Sequence, residues 1–329
     1  MVIRDRLPAI TLFILWLIAS GLMLGGHLLR QPELGGLGTL AGLLFIVGLI
    51  LFLLRSPPQS SALPEIAPLL PLRRGYGATV ALILAVLILL FVVGLAVHPW
   101  LVLVIALTLM AVGLIVAYRS HVTPALVMVG LLAGGLCFAL AWFSGQLDLF
   151  QGMYLACIPI LFIGGGILTE LTGLTPPHAV AGRWRLALKG FGWGALLALP
   201  AALLNVSSGA EPTDLWVDQR WEPMVALLPA IAEEIWARLF MTTLLYALLR
   251  PTVNQRPNLA LISALFIAAL AHGLAHLPSV MIVSPAAAQM VIAALLFGVP
   301  MGLLFVKRDF DHAVGYHFLV DFVRFWVAL

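Results

Sequence analysis

Residues 76–97 read YGATVALILAVLILLFVVGLAV, an apolar run without a single charged side chain. A helix needs about 20 mostly apolar residues to cross the hydrocarbon core of a bilayer, so this stretch reads as a membrane span. Working outward with the same rule gives spans near 7–29, 35–54, 76–97, 99–118, 122–143, 149–171, 185–205, 223–249, 258–278, 286–306 and 311–329. The expected architecture is all-α and polytopic, with about eleven transmembrane helices. His98-Pro99 is all that separates the third span from the fourth, a tight turn or a break within one element.

Composition supports this reading. Of 329 residues, 63% are hydrophobic and 9% charged, and the mean hydropathy is +1.12. Soluble domains carry about a quarter charged residues, and a soluble chain of this make-up would expose apolar area it cannot cover. Disordered and nucleic-acid-binding chains need a charge density that is missing here. Cys137 and Cys157 both lie in apolar runs without metal or redox spacing, and read as packing residues. Met1 to Arg6 is basic, and the apolar run from Leu7 to Leu29 is too long for a signal-peptide core, so it reads as a retained first span.

Positive charge in the loops sets orientation. With the N-terminus in the cytoplasm, Arg4, Arg6, Arg55, Arg73, Arg74, Arg119, Arg183, Arg185, Lys189, Arg250, Arg256, Lys307 and Arg308 share the cytoplasmic side, 13 of 17 cations. Arg30 and Arg220 fall opposite, with Glu33, Asp148, Glu211, Asp214, Asp218 and Glu222. Two stretches interrupt the apolar pattern. Ser56 to Gly75 is Pro-rich and reads as a cytoplasmic linker. Thr172 to Gly182, with Thr175-Pro176-Pro177-His178, divides a six-helix bundle at 1–172 from a second bundle at 183–329. Nearly all intramembrane ionisable residues lie in the second bundle, and no internal repeat is visible.

Charge at mid-bilayer costs several kcal/mol and marks functional sites, which singles out Glu233, Glu234, Arg238, His272, His276, His317 and Asp321. Glu234 and Arg238, four apart, share one helix face and can pair. Glu233, about 100° round the helix, is free to point elsewhere. His272 and His276 stack on one face, with Pro278 ending the helix after them. His317 and Asp321 form a third i, i+4 pair, with Arg324 a competing partner for Asp321. Read singly, these also fit a structural salt bridge with one spare carboxylate, packing histidines and a mutually satisfied His–Asp pair. Asp311 and His312, at the cytoplasmic end of the last span, are expected to be solvated.

In this order the residues resemble the CAAX protease and bacteriocin-processing family, the glutamate intramembrane proteases also called abortive-infection proteins. Its motifs Glu-Glu-x-x-x-Arg, Phe-x-x-x-His and His-x-x-x-Asn/Asp correspond to Glu233-Glu234…Arg238, His272…His276 and His317…Asp321. Ser263-Ala264-Leu265-Phe266, His276-Leu277-Pro278 and Phe297-Gly298…Gly302-Leu303-Leu304-Phe305 fit the same pattern, and the resemblance spans about 185–329. His272 replaces the Phe of the second motif, Ala237 and Leu239 flank Arg238 in place of the common Phe and Gly, and Asp321 stands where Asn is commoner.

The resemblance implies peptide-bond hydrolysis by an activated water, without a covalent intermediate or an obligatory metal. Glu233 and His276 would hold and deprotonate the water. His317 and Asp321 would stabilise the oxyanion, with Asp321 either donating a proton itself or fixing the tautomer of His317, the latter preferred. Glu234 and Arg238 would be the supporting pair. Motif alignment puts His276 on the water, whereas depth along the span favours His272, so both stay in the site. The expected partners are the lipid bilayer and a membrane-associated peptide or protein substrate, with no nucleic acid; a prenylated C-terminus, a peptide precursor or a membrane anchor would each fit. The first six helices could dock a membrane partner. The expected location is a prokaryotic cytoplasmic membrane.

Three other readings compete. Zinc on His272, His276, His317 and Glu233 would use the i, i+4 pair as anchor, but the His-Glu-x-x-His signature is missing. A non-catalytic scaffold, immunity or partner-binding protein would keep the motifs without the reaction. A transporter would use the same residues as a proton relay, but lacks repeat symmetry.

Overall fold

A computed structural model of the chain describes residues 2–29, 31–55, 75–95, 98–207, 217–253, 256–276, 291–292 and 294–328. The Ser56–Gly75 linker (except Gly75), Arg30, Arg73, Arg74, Glu211, Asp214, Pro278 and the start of the tenth span lie outside them. Eleven helical elements follow the sequence spans: α1 (Val2–Leu28), α2 (Pro32–Arg55), α3 (Tyr76–Leu95), α4 (Pro99–Ala117), α5 (Pro124–Phe143), α6 (Leu149–Thr172), α7 (Trp184–Ser207), α8 (227–249), α9 (Pro257–Ala275), α10 (Ala294–Lys307) and α11 (Phe310–Ala328). No strand occurs among the described residues. The protein is an all-α integral membrane protein.

Local chemistry sets several of the helix ends. The Thr123 hydroxyl accepts from Leu126 N ahead of Pro124 in α5, and the Asp148 carboxylate accepts from Gln151 N at 2.7 Å at the start of α6. Each side chain satisfies a backbone donor that the first helical turn leaves unpaired. Gly173, at φ 70°, ends α6 in the left-handed conformation, which a residue with a Cβ adopts only at a cost.

By length and hydropathy, α1–α7 and α9 are each able to cross a membrane. Of the three remaining helices, α8 carries Glu233, Glu234 and Arg238 and α11 carries His317 and Asp321, and burial explains how most of these are tolerated. Every residue from Val299 to Lys307 in α10 is buried, and so is nearly all of α8, including Trp236, Arg238, Phe240 and Tyr246. The outer helices turn side chains such as Phe13, Leu109, Leu131, Phe143 and Leu188 outward, as a lipid-facing surface requires.

Two close approaches fix the inner helices. A Cβ on Gly194 of α7 would strike the His312 carbonyl, and one on Gly315 of α11 would strike that of Phe191, so α7 and α11 meet backbone to backbone. Small residues permit this contact where no hydrophobic force drives helices together in lipid. Likewise, Gly165 of α6 leaves room for Leu239 of α8. The main apolar core runs from Ala19 in α1 to Val320 in α11, through both halves of the chain, and a small second cluster joins Val217, Ala226 and Phe325. Cys137 is buried and Cys157 partly buried, both as free thiols.

One sequence expectation is corrected. Asp311 and His312 are not solvated. The segment between α6 and α7 folds back, so His178 Nδ1 lies 2.8 Å from Asp311 Oδ2 and 3.8 Å from Asp309 Oδ2. His312 Nδ1 lies 2.7 Å from Asp309 Oδ1. The charges at the start of α11 are paired and largely shielded because this connection covers them.

Candidate active site

The site begins with a change of helix type. A short 3-10 turn, Glu222–Ala226, leads into α8; the buried Glu222 carboxylate closes it by accepting from Asp218 N and Gln219 N. Leu227–Glu233 is α-helical, Glu234–Thr242 is a π-helix and Thr243–Leu249 is α-helical again. The Thr242 hydroxyl donates to the Ala237 carbonyl at 2.8 Å, five residues back. π segments are rare and often occur at functional sites. Here the transition falls between Glu233 and Glu234 and sends the two carboxylates to different neighbours.

Glu233 faces α9. Its Oε2 lies 2.6 Å from His272 Nε2 and 3.5 Å from His276 Nε2, and α11 brings His317 Nε2 to 3.7 Å. Glu234 turns towards Arg238 and α11. Its Oε1 lies 3.0 Å from Arg238 Nη1 and 2.9 Å from His317 Nδ1. Asp321 Oδ2 lies 3.3 Å from His317 Nε2. The structure therefore brings all seven singled-out residues into one contiguous polar cluster. Glu233, Glu234, Arg238, His272 and His317 are buried, whereas His276 is more open, with 38% of its side chain exposed.

Three relations were not legible in the sequence. Arg238 reaches beyond Glu234 to His272 Nδ1 at 2.7 Å, and its Nη2 meets the Gly298 carbonyl at 3.4 Å and Met301 Sδ at 3.6 Å. A buried guanidinium has five donors, more than one carboxylate satisfies, and that surplus was the available signal. Glu234, not Asp321, contacts His317 Nδ1, so tautomer control on that side of the ring falls to Glu234. Asp321 adjoins the other nitrogen. The third relation concerns the walls, since the site cavity takes side chains from the N-terminal half.

The cavity measures about 410 Å³. Glu233, His272, His276, His317 and Asp321 line it, and Trp100 of α4, Gln146 of the α5–α6 connection and Gln151 of α6 contribute to its wall. The Trp100 ring lies 5.2 Å from that of His276 and 5.0 Å from that of Tyr154, centroid to centroid. Chemically, the arrangement sets a carboxylate beside several imidazoles in a pocket large enough for water, with Gln146, Gln151, Asn205 and Arg324 among its other polar lining. The donor atoms of Glu233, His272 and His276 also lie within 4.8 Å of one another, close enough to share a cation.

Residues 221–323 match the family model described as type II CAAX prenyl endopeptidase Rce1-like. No curated protein and no solved structure matches the chain.

Proposed function

Because residues 221–323 match the Rce1-like CAAX endopeptidase family model and the chain is an integral membrane protein, we propose that the chain is a glutamate-dependent intramembrane endopeptidase. One observation carries the reading: Glu233 Oε2 lies on the cavity wall within 3.7 Å of His272, His276 and His317. A carboxylate so placed has imidazoles on hand to share a water and its protons.

In this reading Glu233 takes a proton from a water that it holds with His276, the more open of the two α9 histidines. The water oxygen attacks the scissile carbonyl carbon, and the carbonyl oxygen becomes an oxyanion. His317 faces carboxylate oxygens at both nitrogens, so it is placed to serve as the donor that stabilises this charge, an effect typically worth about 3–4 kcal/mol. Asp321 orients it. As the C–N bond breaks, the proton on Glu233 passes to the departing amine, leaving a new carboxylate and a new amino terminus. His272 holds Glu233 in place, with Glu234 and Arg238 behind. The substrate is a membrane-associated protein or peptide, and the compartment a prokaryotic cytoplasmic membrane.

The shared reach of Glu233, His272 and His276 favours zinc as the second reading. Against it stands Arg238, whose cationic N–H meets His272 Nδ1 at 2.7 Å. A metal-bound histidine normally directs its second nitrogen, as N–H, to an acceptor. A chelator separates the two: cleavage persists on the glutamate mechanism and is lost if zinc is required.

The direct test compares membranes carrying wild-type or Glu233→Gln protein by terminal proteomics. A processed terminus present with wild type and missing with the variant is the expected result. Identical termini, with both proteins equally folded, would remove the protease assignment and leave a scaffold or partner-binding role.

A further inference from the structure

The helix ends sort into two faces. At one face lie the end of α2, the α4–α5 connection, the α6–α7 connection, the end of α8, the start of α9 and the α10–α11 turn. The described cations Arg55, Arg119, Arg183, Arg185, Arg256 and Arg308 stand exposed there, with Lys189 one turn into α7. At the other face lie the start of α4, the α5–α6 connection, the end of α7 and the approach to α8. Its described cations are Arg220 and, near the end of α11, Arg324.

The site cavity reaches the second face. Its wall includes Trp100 at the first turn of α4, Gln146 between α5 and α6, Gln151 at the first turn of α6, Asn205 in the last turn of α7 and Arg324. None of its lining residues comes from the cation-rich ends. Since Lys and Arg concentrate in cytoplasmic loops, the mouth faces away from the cytoplasm.

Two polar atoms on this wall have no protein partner. Trp100 Nε1 and Gln146 Nε2 are both shielded and unbonded. Leaving a buried donor unsatisfied is costly, and a hydrogen-bonding partner supplied by a substrate removes that cost. Both lie in the half of the chain that the family match does not reach.

We infer that the substrate is a peptide segment that reaches the site from the non-cytoplasmic face, with its backbone carbonyls received by Trp100 Nε1 and Gln146 Nε2 as these covered side chains turn towards the cavity. The inference rests on the protease reading and deepens it. It gives the N-terminal helices a task as the substrate-binding wall beside Glu233. It also selects the substrate class: a segment exposed outside the cytoplasm in a membrane-anchored protein or peptide, rather than a lipidated cytoplasmic tail.

The test has two arms, both in a background with Cys137→Ala and Cys157→Ala. In the first, Gln219→Cys and Ser120→Cys, both at exposed positions on opposite faces, are treated in intact cells with a membrane-impermeant maleimide. Labelling of Gln219→Cys at once, and of Ser120→Cys only after permeabilisation, is expected; the reverse pattern overturns the inference. In the second, purified Gln146→Leu and Trp100→Phe are assayed on fluorogenic decapeptides that wild type cleaves. Losing one carbonyl contact should raise KM about tenfold, the equivalent of about 1.4 kcal/mol, with kcat changed far less. An unchanged KM in both variants overturns the carbonyl contacts. If Glu233-dependent cleavage persists while the labelling is reversed, this inference alone falls. If the labelling is as expected but wild type cleaves no peptide, the protease reading falls.

Discussion

Arg238 Nη1 lies 2.7 Å from His272 Nδ1, and that contact assigns the tautomer of the ring. A guanidinium only donates, so Nδ1 must accept, and the ring proton sits on Nε2, 2.6 Å from the Glu233 carboxylate. The arginine next to the motif glutamates therefore orders the group that holds the proposed base, besides pairing with Glu234.

Arg238→Lys tests this relay. Lysine keeps the positive charge beside Glu234 but lacks the planar fork that reaches two partners at once. Folded yield in detergent should stay near wild type, while peptide turnover falls by about tenfold to a hundredfold, the usual cost of losing an orienting partner. Full turnover with normal yield would show that His272 needs no help in choosing its tautomer.

Glu234 has a different kind of importance. Its side chain is fully buried, and it pairs with Arg238 and with His317 Nδ1. Glu234→Ala leaves the guanidinium buried without its carboxylate, a loss of about 3–5 kcal/mol in comparable pairs. Thermal unfolding in detergent should show a markedly less stable protein. Adding Arg238→Leu should recover part of that loss, because the uncompensated charge is gone, and a double-mutant cycle reads the coupling. A Glu234→Ala protein as stable as wild type would place the stabilisation elsewhere.

Asp321 touches the nitrogen of His317 that Glu234 does not. If its task is to orient the ring, an amide oxygen can replace the carboxylate oxygen. Asp321→Asn should then retain turnover within about tenfold of wild type, whereas Asp321→Leu, which offers no acceptor, should lose considerably more, up to the several kcal/mol typical of an oxyanion donor left misaligned. Equal activity in the two variants would deny Asp321 any part in positioning His317.

The bundle was legible because lipid imposes a length and a hydropathy on every outer helix, and the three motif pairs were legible because i, i+4 spacing is a local property. Partners that come from other helices leave no such local mark. The π segment of α8 packs Leu239 against Gly165 of α6, a tertiary contact with no local signature. Spacing pairs Arg238 with Glu234 alone, because no local pattern brings α9 and α10 around it. Trp100 and Gln146 carry no motif, and only the approach of α4 and the α5–α6 connection to α9 makes them part of the wall. Asp311 and His312 misled for the same reason in reverse, since polar residues at a helix start read as solvated until the α6–α7 connection is seen to cover them.

That covering gives the last prediction. Asp309, in the turn between α10 and α11, is buried, and burial pushes its carboxyl up. The bond from the His312 ring, the charge and backbone N–H of His312 and the charge of His178 outweigh this and hold it below its ordinary value of 3.8. A carboxyl lowered in the folded state adds stability that is complete above the unfolded value and fades as pH falls through the folded one. The groups facing it are His178, Asp311 and His312. Asp309→Asn should therefore be less stable than wild type at pH 5, with the gap shrinking as pH falls below about 4. Thermal melts of both proteins across that range give the answer. A gap that widens below about pH 4 would mean that Asp309 is held protonated and that the clamp on the α6–α7 connection rests on Asp311 alone.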